Sequence, residues 1–204
     1  MKNHFIPFIA LTETWLSFHI ADAQVSIPLY TVSRSDRSGR EGGVILFSCE
    51  KFPITTTTKY DDGVCQALLC QFHSLKINVI VVYRPPDAAK ELFSRAISWI
   101  RRSISEISDD SYQLILVGDF NFPYIDWNSY IVQKTVGLLM QQSADEFLNL
   151  LSDHYLNQYV LHPTRSNNIL DLFATNNPYL VTNVSISDIG ISDHKMVDNA
   201  FSIC

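Results

Sequence analysis

Positive charge is scarce in this chain. Its 204 residues carry 15 Lys and Arg against 21 Asp and Glu, a formal net charge of -6 at pH 7. No global basic surface therefore points to nucleic acid, although a local basic rim still suits phosphates and a carboxylate-rich site adds negative charge of its own. Paired cysteines are missing as well. Cys49, Cys65, Cys70 and Cys204 form no CxxC spacing, and the first three sit in apolar runs, where Cys behaves as a small core residue. That pattern argues for a reducing compartment and against structural zinc. Long apolar runs are absent: none approaches the ~20 residues needed to span a bilayer. The apolar segment 5–11 contains Pro7 and meets Glu13 almost at once, so it reads as a strand and not as a signal peptide. The expected location is intracellular, nuclear or cytoplasmic, with no membrane partner. Repeats, linkers and low-complexity tracts are also lacking, and His4, His19, His73, His154 and His162 show no metal-ligand spacing.

What is present is a globular composition, 47 % apolar and 18 % charged, on a length that suits one domain over residues 1–204. Short β-type runs bounded by Gly, Pro, Asp or Ser occupy 6–11, 28–32, 43–49, 54–58, 65–72 and 77–83. The last two read as a hairpin, and the β-branched, polar stretch 55–58 as an edge strand. A helix is expected over 88–104, with Leu92, Phe93, Ala96, Ile97 and Ile100 on one face and Glu91, Arg95, Arg101 and Arg102 elsewhere. The buried strand 112–117 follows. A second helix is predicted over 135–151, carrying Leu138, Leu139, Phe147, Leu148 and Leu151. Strands return at 156–160, 169–174, 180–186 and 196–203. Mixed strands with few helices predict an α/β fold with sheet packed on sheet and helices outside.

Two polar clusters close apolar stretches: Gly118-Asp119-Phe120-Asn121 after Leu114–Val117, and Ser192-Asp193-His194 near the C-terminus. Asp and Asn delivered at a strand end place polar groups at a sheet rim, where sites form. Asp119 can accept a proton from a water, and Asn121 can donate to a phosphoryl oxygen as its charge grows; an Asx-turn is the plainer reading of the same residues. Asp193-His194 offers a carboxylate and an imidazole. Such a His needs an acceptor on its other nitrogen, and Asp171, a charge inside the apolar run 169–173, is the natural one, unless it simply lies on a wet strand face. Glu13 ends the first apolar run, where a carboxylate suits Mg²⁺ as well as a solvated turn. Tyr83 ends the run 79–82, where its hydroxyl can reach a phosphate or merely pack.

Taken together, Leu11-Thr12-Glu13-Thr14-Trp15, Tyr83-Arg84-Pro85-Pro86, Gly118-Asp119-Phe120-Asn121, Asp171 and Ser192-Asp193-His194 resemble the endonuclease/exonuclease/phosphatase superfamily, in its motif order. Within it, residues 118–127, Pro163-Thr164-Arg165 and residues 168–176 look like the endonuclease domain of non-LTR retrotransposons of the jockey or chicken-repeat type. The resemblance implies a four-layer α/β/β/α sandwich and Mg²⁺-dependent phosphodiester hydrolysis, with Mn²⁺ as a substitute, and DNA as the partner that is nicked. It makes Glu13 the principal metal ligand with Asp193 close to the metal. Asp119 would position or deprotonate the water, Asn121 and Tyr83 would contact the phosphate, and His194, held by Asp171, would stabilise the transition state or transfer a proton. No obligate protein partner is evident.

Family members open with an Asn-bearing strand and a helix ahead of the Glu-bearing strand. These need roughly 25–30 residues, and Glu13 has only twelve before it. The expectation is an N-terminally incomplete sandwich lacking that first strand and helix, with lowered stability, a tendency to aggregate and impaired nicking. A phosphomonoesterase or phospholipid-headgroup hydrolase on the same scaffold, and a non-catalytic remnant, are the alternative readings.

Overall fold

The computed structural model describes residues 6–38, 41–107 and 111–200. In chain order the strands are β1 (Phe8–Thr12), β2 (Tyr30–Ser35), β3 (Val44–Cys49), β4 (Thr56–Asp61), β5 (Gln66–Phe72) and β6 (Ile77–Tyr83). Helix α1 (Lys90–Glu106) leads to β7 (Gln113–Asp119) and the short ribbon of β8 (Ile125–Asp126) and β9 (Ile131–Val132). Helix α2 (Leu138–Asp153) is followed by β10 (Asn157–Gln158), β11 (Asp171–Thr175), β12 (Asn183–Ser187) and β13 (Met196–Ala200).

A six-stranded sheet in the order β10-β11-β7-β6-β5-β4 is the backbone of the fold. Its central strands read as continuous apolar runs because both faces are covered. Against one face lie α1 and α2: Phe93, Ala96, Ile97 and Ile100 of the first and Ala144, Phe147, Leu150 and Leu151 of the second share a cluster with Leu69, Ile80, Val82, Leu114 and Leu116. Ser94 Oγ donates to Glu146 Oε2 at 2.5 Å, and Arg101 pairs with Asp153 at 2.6 Å, so the helices are also tied at their rims. Against the other face lie the three-stranded sheet β1-β3-β2 and the hairpin β12-β13. Val44, Leu46, Val184, Ile186 and Val197 meet Val79, Val81, Ile115 and Phe173 there. The architecture is thus a mixed α/β sandwich of three layers, helices, large sheet and smaller sheets. Among the described residues no α-helix joins the strands of the smaller sheets; a 3₁₀ turn over Asp22–Gln24 lies between β1 and β2.

Both expected helices are present, and so is the hairpin of β5 and β6. The threonine-rich strand β4 is an edge, with exposed side chains along most of its length. Several expectations shift for local reasons. The second helix begins at Leu138, after Gly137 in an extended conformation, and its first turn faces water: Leu138 and Leu139 are 67 % and 59 % exposed instead of belonging to the core. The strand expected over 156–160 shrinks to Asn157–Gln158, because the Gln158 side chain bonds both backbone groups of Val160 and takes them from the ladder. The strand expected from 180 starts at Asn183, behind a 3₁₀ turn over Pro178–Leu180. The ribbon of β8 and β9 was not legible in the periodicity. The expected strand end at 201–203 lies outside the described residues, as do His4 and Cys204. No helix among the described residues is long and apolar enough to cross a membrane.

Candidate active site

Three neighbouring strands each deliver one polar side chain to the same row. The parallel register of β6 with β7 sets Tyr83 beside Asp119, and the antiparallel register of β11 with β7 sets Asp171 on its other side. Strand parity aims all three towards the smaller sheets. Tyr83 follows Val79 and Val81, Asp119 follows Ile115 and Val117, and Asp171 precedes Phe173, every one of them a member of the inter-sheet cluster. Gly118 permits this close pairing. A Cβ there would lie 1.9 Å from the Val82 carbonyl oxygen, and its φ is +135°. It belongs to the strand and not to a turn after it, so its role is close backbone approach.

Asp119 is buried and heavily engaged. Its Oδ1 accepts the Asn121 backbone N–H at 3.1 Å, and its Oδ2 accepts Asn121 Nδ2 at 2.8 Å. Asn121 Nδ2 also donates to the Arg84 carbonyl at 2.9 Å. The strand ends at Asp119 and Asn121 adopts φ +50°, so the two side chains meet through an Asx-type turn. Burial pushes the Asp119 carboxyl up to about 7, and the charges of Asp171 and Glu13 push in the same direction.

His194 Nδ1 lies 2.8 Å from Asp171 Oδ2, and that bond, more than any other influence, raises the imidazole above its ordinary pKa. The His194 backbone N–H donates to Ser192 Oγ at 3.1 Å. On the opposite side, the Tyr83 hydroxyl donates to Glu13 Oε1 at 2.8 Å. Burial, then that bond, raises the phenol. Glu13, Tyr83, Asp119, Asn121, Asp171 and His194 thereby form one connected constellation. Asp193 stands apart: its exposed carboxylate pairs with Arg165 at 2.5 Å.

Asp119, Asp171 and His194 offer ligand atoms that all lie within 4.8 Å of one another. Burial first, and then repulsion from the neighbouring carboxylates, makes Asp119 hold its proton, and a divalent cation is the natural counter-charge. The oxygen-rich donor set, with Glu13 beside it, fits a hard cation.

Three further side chains support the site. Thr164 is fully buried; its Oγ1 accepts the backbone N–H groups of Leu170 at 3.0 Å and Asp171 at 3.1 Å, while its carbonyl accepts Lys195 N–H at 2.8 Å. It fastens the Asp171 strand to the loop carrying Asp193 and His194. Arg84 is 1 % exposed. Its Nη1 donates to the carbonyls of Phe120 at 3.2 Å and Asn121 at 3.1 Å, and its guanidinium stacks over Phe122 at 4.3 Å. Arg165 is the third. The signals were present in Pro163-Thr164-Arg165 and Tyr83-Arg84-Pro85-Pro86, but a hydroxyl or guanidinium that supports backbone has no signature of its own.

Residues 77–198 match the family model described as endonuclease-reverse transcriptase. No curated protein matches the chain significantly. Among solved structures, the 3′ phosphatase NExo from Neisseria bound to a product DNA hairpin is 15 % identical, with a TM-score of 0.67, covering 96 % of this chain and 89 % of that one. The endonuclease domain of TRAS1, a telomere-specific non-LTR retrotransposon, is 15 % identical with a TM-score of 0.61, covering 95 % and 85 %. An AP endonuclease from Archaeoglobus fulgidus is 15 % identical with a TM-score of 0.61, covering 97 % and 89 %. With four of its five motif segments inside the matched region and its sandwich shared with these structures, the chain belongs to the endonuclease-reverse transcriptase family of the endonuclease/exonuclease/phosphatase fold.

Proposed function

We propose that this chain is a Mg²⁺-dependent DNA-nicking endonuclease domain derived from a non-LTR retrotransposon. The observation that carries the reading is the row Tyr83, Asp119 and Asp171 with His194 and Glu13 attached to its two ends. Asp119, with a carboxyl near pH 7, is matched to take a proton from water under neutral conditions. Asn121 fixes the orientation of that carboxylate. The His194 imidazolium, held by Asp171, would face the phosphate oxygens as negative charge grows on them, and the Tyr83 hydroxyl would join it by turning its single proton from Glu13 to the phosphate. Glu13 and Asp193 would hold the cation with Asp119 facing it, which requires Arg165 to release Asp193. When bound, Mg²⁺ supplies Lewis-acid stabilisation of the phosphoryl charge.

Support for DNA comes from the named activities of the structural neighbours and from the endonuclease domain among them. The test is relaxation of supercoiled plasmid with Mg²⁺ against EDTA. Nicking with Mg²⁺ that disappears in EDTA and in Asp119→Ala is expected; loss of the general base lowers the rate roughly 10²–10⁴-fold. Nicking that survives Asp119→Ala sinks the assignment. A phosphomonoesterase is the second reading, favoured by the net charge of -6 and by a 3′ phosphatase among the neighbours. Inositol phosphates assayed beside the plasmid decide between them, since release of inorganic phosphate without nicking selects the phosphatase.

A further inference from the structure

Beside Glu13 the chain exposes its largest side chain type to water. Trp15 is 65 % exposed, whereas Trp99 and Trp127 are 6 % exposed each. An isolated exposed apolar residue needs no explanation, but this one is mounted with care. Both Glu13 (φ +50°) and Trp15 (φ +54°) lie in the left-handed region, which side chains bearing a Cβ adopt only at a cost. Strain of this kind persists where the surroundings over-determine it and clusters at ligand clamps.

The surroundings here are a glycine pair. Trp15 N–H donates to the Gly42 carbonyl at 2.9 Å, and Thr14 N–H to the Gly43 carbonyl at 3.4 Å. A Cβ on Gly43 would lie 2.6 Å from Thr14 Oγ1, and one on Gly42 would lie 2.6 Å from Gln66 Oε1 and 3.2 Å from the Tyr83 ring. Gly43 N–H donates to Gln66 Oε1 at 3.1 Å. The turn that carries Trp15 is therefore seated on the same support as Tyr83. The indole is presented on a fixed mount, with its Cα no more than about 7.6 Å from that of Glu13, two trans peptide steps away.

A water-facing aromatic ring on a hydrogen-bonded backbone turn, two residues from Glu13 of the candidate row, suits the flat face of a nucleobase. Stacking on such a ring needs no sequence match, because every base has a π-face, and a base is free to stack on protein only after leaving its own stack. Resting on the DNA-nicking reading above, we infer that Trp15 stacks on an unstacked nucleobase next to the scissile phosphate, so that the substrate is DNA locally opened at the cleavage site. Trp15 is then a specificity-determining residue, and sites rich in easily unstacked pyrimidine–purine steps are the natural targets.

The test uses the whole chain in EDTA, so that DNA is bound but not cut. Two fluorescein-labelled 30-mers are compared, one fully paired and one with a central three-base mismatch bubble. Anisotropy measures affinity, and acrylamide quenching measures access to Trp15, because Trp99 and Trp127 are buried. Bubble DNA is expected to shield the quenchable emission, and Trp15→Ala to weaken bubble binding roughly tenfold, with Trp15→Phe retaining most of the affinity and the paired duplex affected less. Bubble DNA that binds without shielding Trp15, or binds Trp15→Ala as tightly as the wild type, overturns the stacking role and leaves the nuclease reading intact. Wild-type protein that binds neither DNA brings down the nuclease reading and the stacking role with it. A concentration-dependent dimer that Trp15→Ala converts to monomer, with DNA affinity unchanged, assigns the indole to a second copy of the chain and also overturns the role.

Discussion

Asp119 stands at the centre of the candidate site, between Tyr83 and Asp171. Burial raises its carboxyl first, and the Asp171 and Glu13 charges add to the shift, up to about 7. In an unfolded chain the same group titrates near about 3.9. Between those values the folded protein holds a proton that the unfolded protein has released, so this group makes stability fall as pH rises from about 4 to about 7, after which the loss levels off. His194 acts in the same direction. Its pKa is raised by Asp171, so its stabilisation is complete below about 6.5 and is lost as pH climbs through the raised value. The metal-free protein is therefore expected to show a higher urea midpoint at pH 6 than at pH 8, and Asp119→Asn to flatten that difference. An unchanged slope in the variant refutes the assignment.

At the scale of the element, α2 shows why helical periodicity overstates a core. Leu138, Leu139 and Phe147 are all apolar residues of one helix, but they have different fates. Phe147 is fully buried and stacks on Phe120 at 4.5 Å and Phe122 at 5.4 Å, directly beneath the loop that carries Asn121. Leu138 and Leu139 lie on the first turn, beyond the reach of α1 and the sheet. Leu138→Ser should change the urea-derived stability by less than about 0.5 kcal/mol, whereas Phe147→Ala should remove about 3–5 kcal/mol. Comparable losses from the two would place the first turn in the core after all. The three-stranded sheet makes a related point: β1 is an edge strand that pairs with β3 alone among the described residues, and Glu13 follows directly from it. Glu13 thus hangs on a strand with one hydrogen-bonded neighbour, whereas Tyr83, Asp119 and Asp171 stand on the interior of the large sheet.

Across the whole molecule, two layers of sheet bring together segments that begin near Glu13 and finish at His194. The carboxylates converging there repel in the absence of a counter-ion, so a bound divalent cation stabilises the folded state by mass action. Mg²⁺ at pH 8 is expected to raise the thermal midpoint, by roughly 2–4 °C for each kcal/mol of binding free energy, and EDTA to reverse the rise. Glu13→Ala should lose most of that response. A midpoint indifferent to Mg²⁺ would separate the constellation from metal binding.

How much of this was legible in the chain depends on the distance over which each feature is decided. The apolar runs of β3, β5, β6 and β7, the buried face of α1 and the exposed edge β4 follow from side-chain periods of 2.0 and 3.6, which are local and therefore readable. The motif residues were legible too, because Tyr83, Asp119, Asp171 and Asp193-His194 each interrupt or end an apolar stretch in a recognisable motif order, and the fold gathers all of them but Asp193. The alignment of Tyr83, Asp119 and Asp171 in one row was not readable, since register is decided by hydrogen bonds between segments far apart in sequence. The same holds for Gly118 against Val82, for Thr164 beneath Asp171, and for the grip of Arg165 on Asp193. The affinity of Asp119 for its proton is the clearest case. It sums burial with charges from three other segments of the chain, and only their meeting in the folded molecule gives it a value.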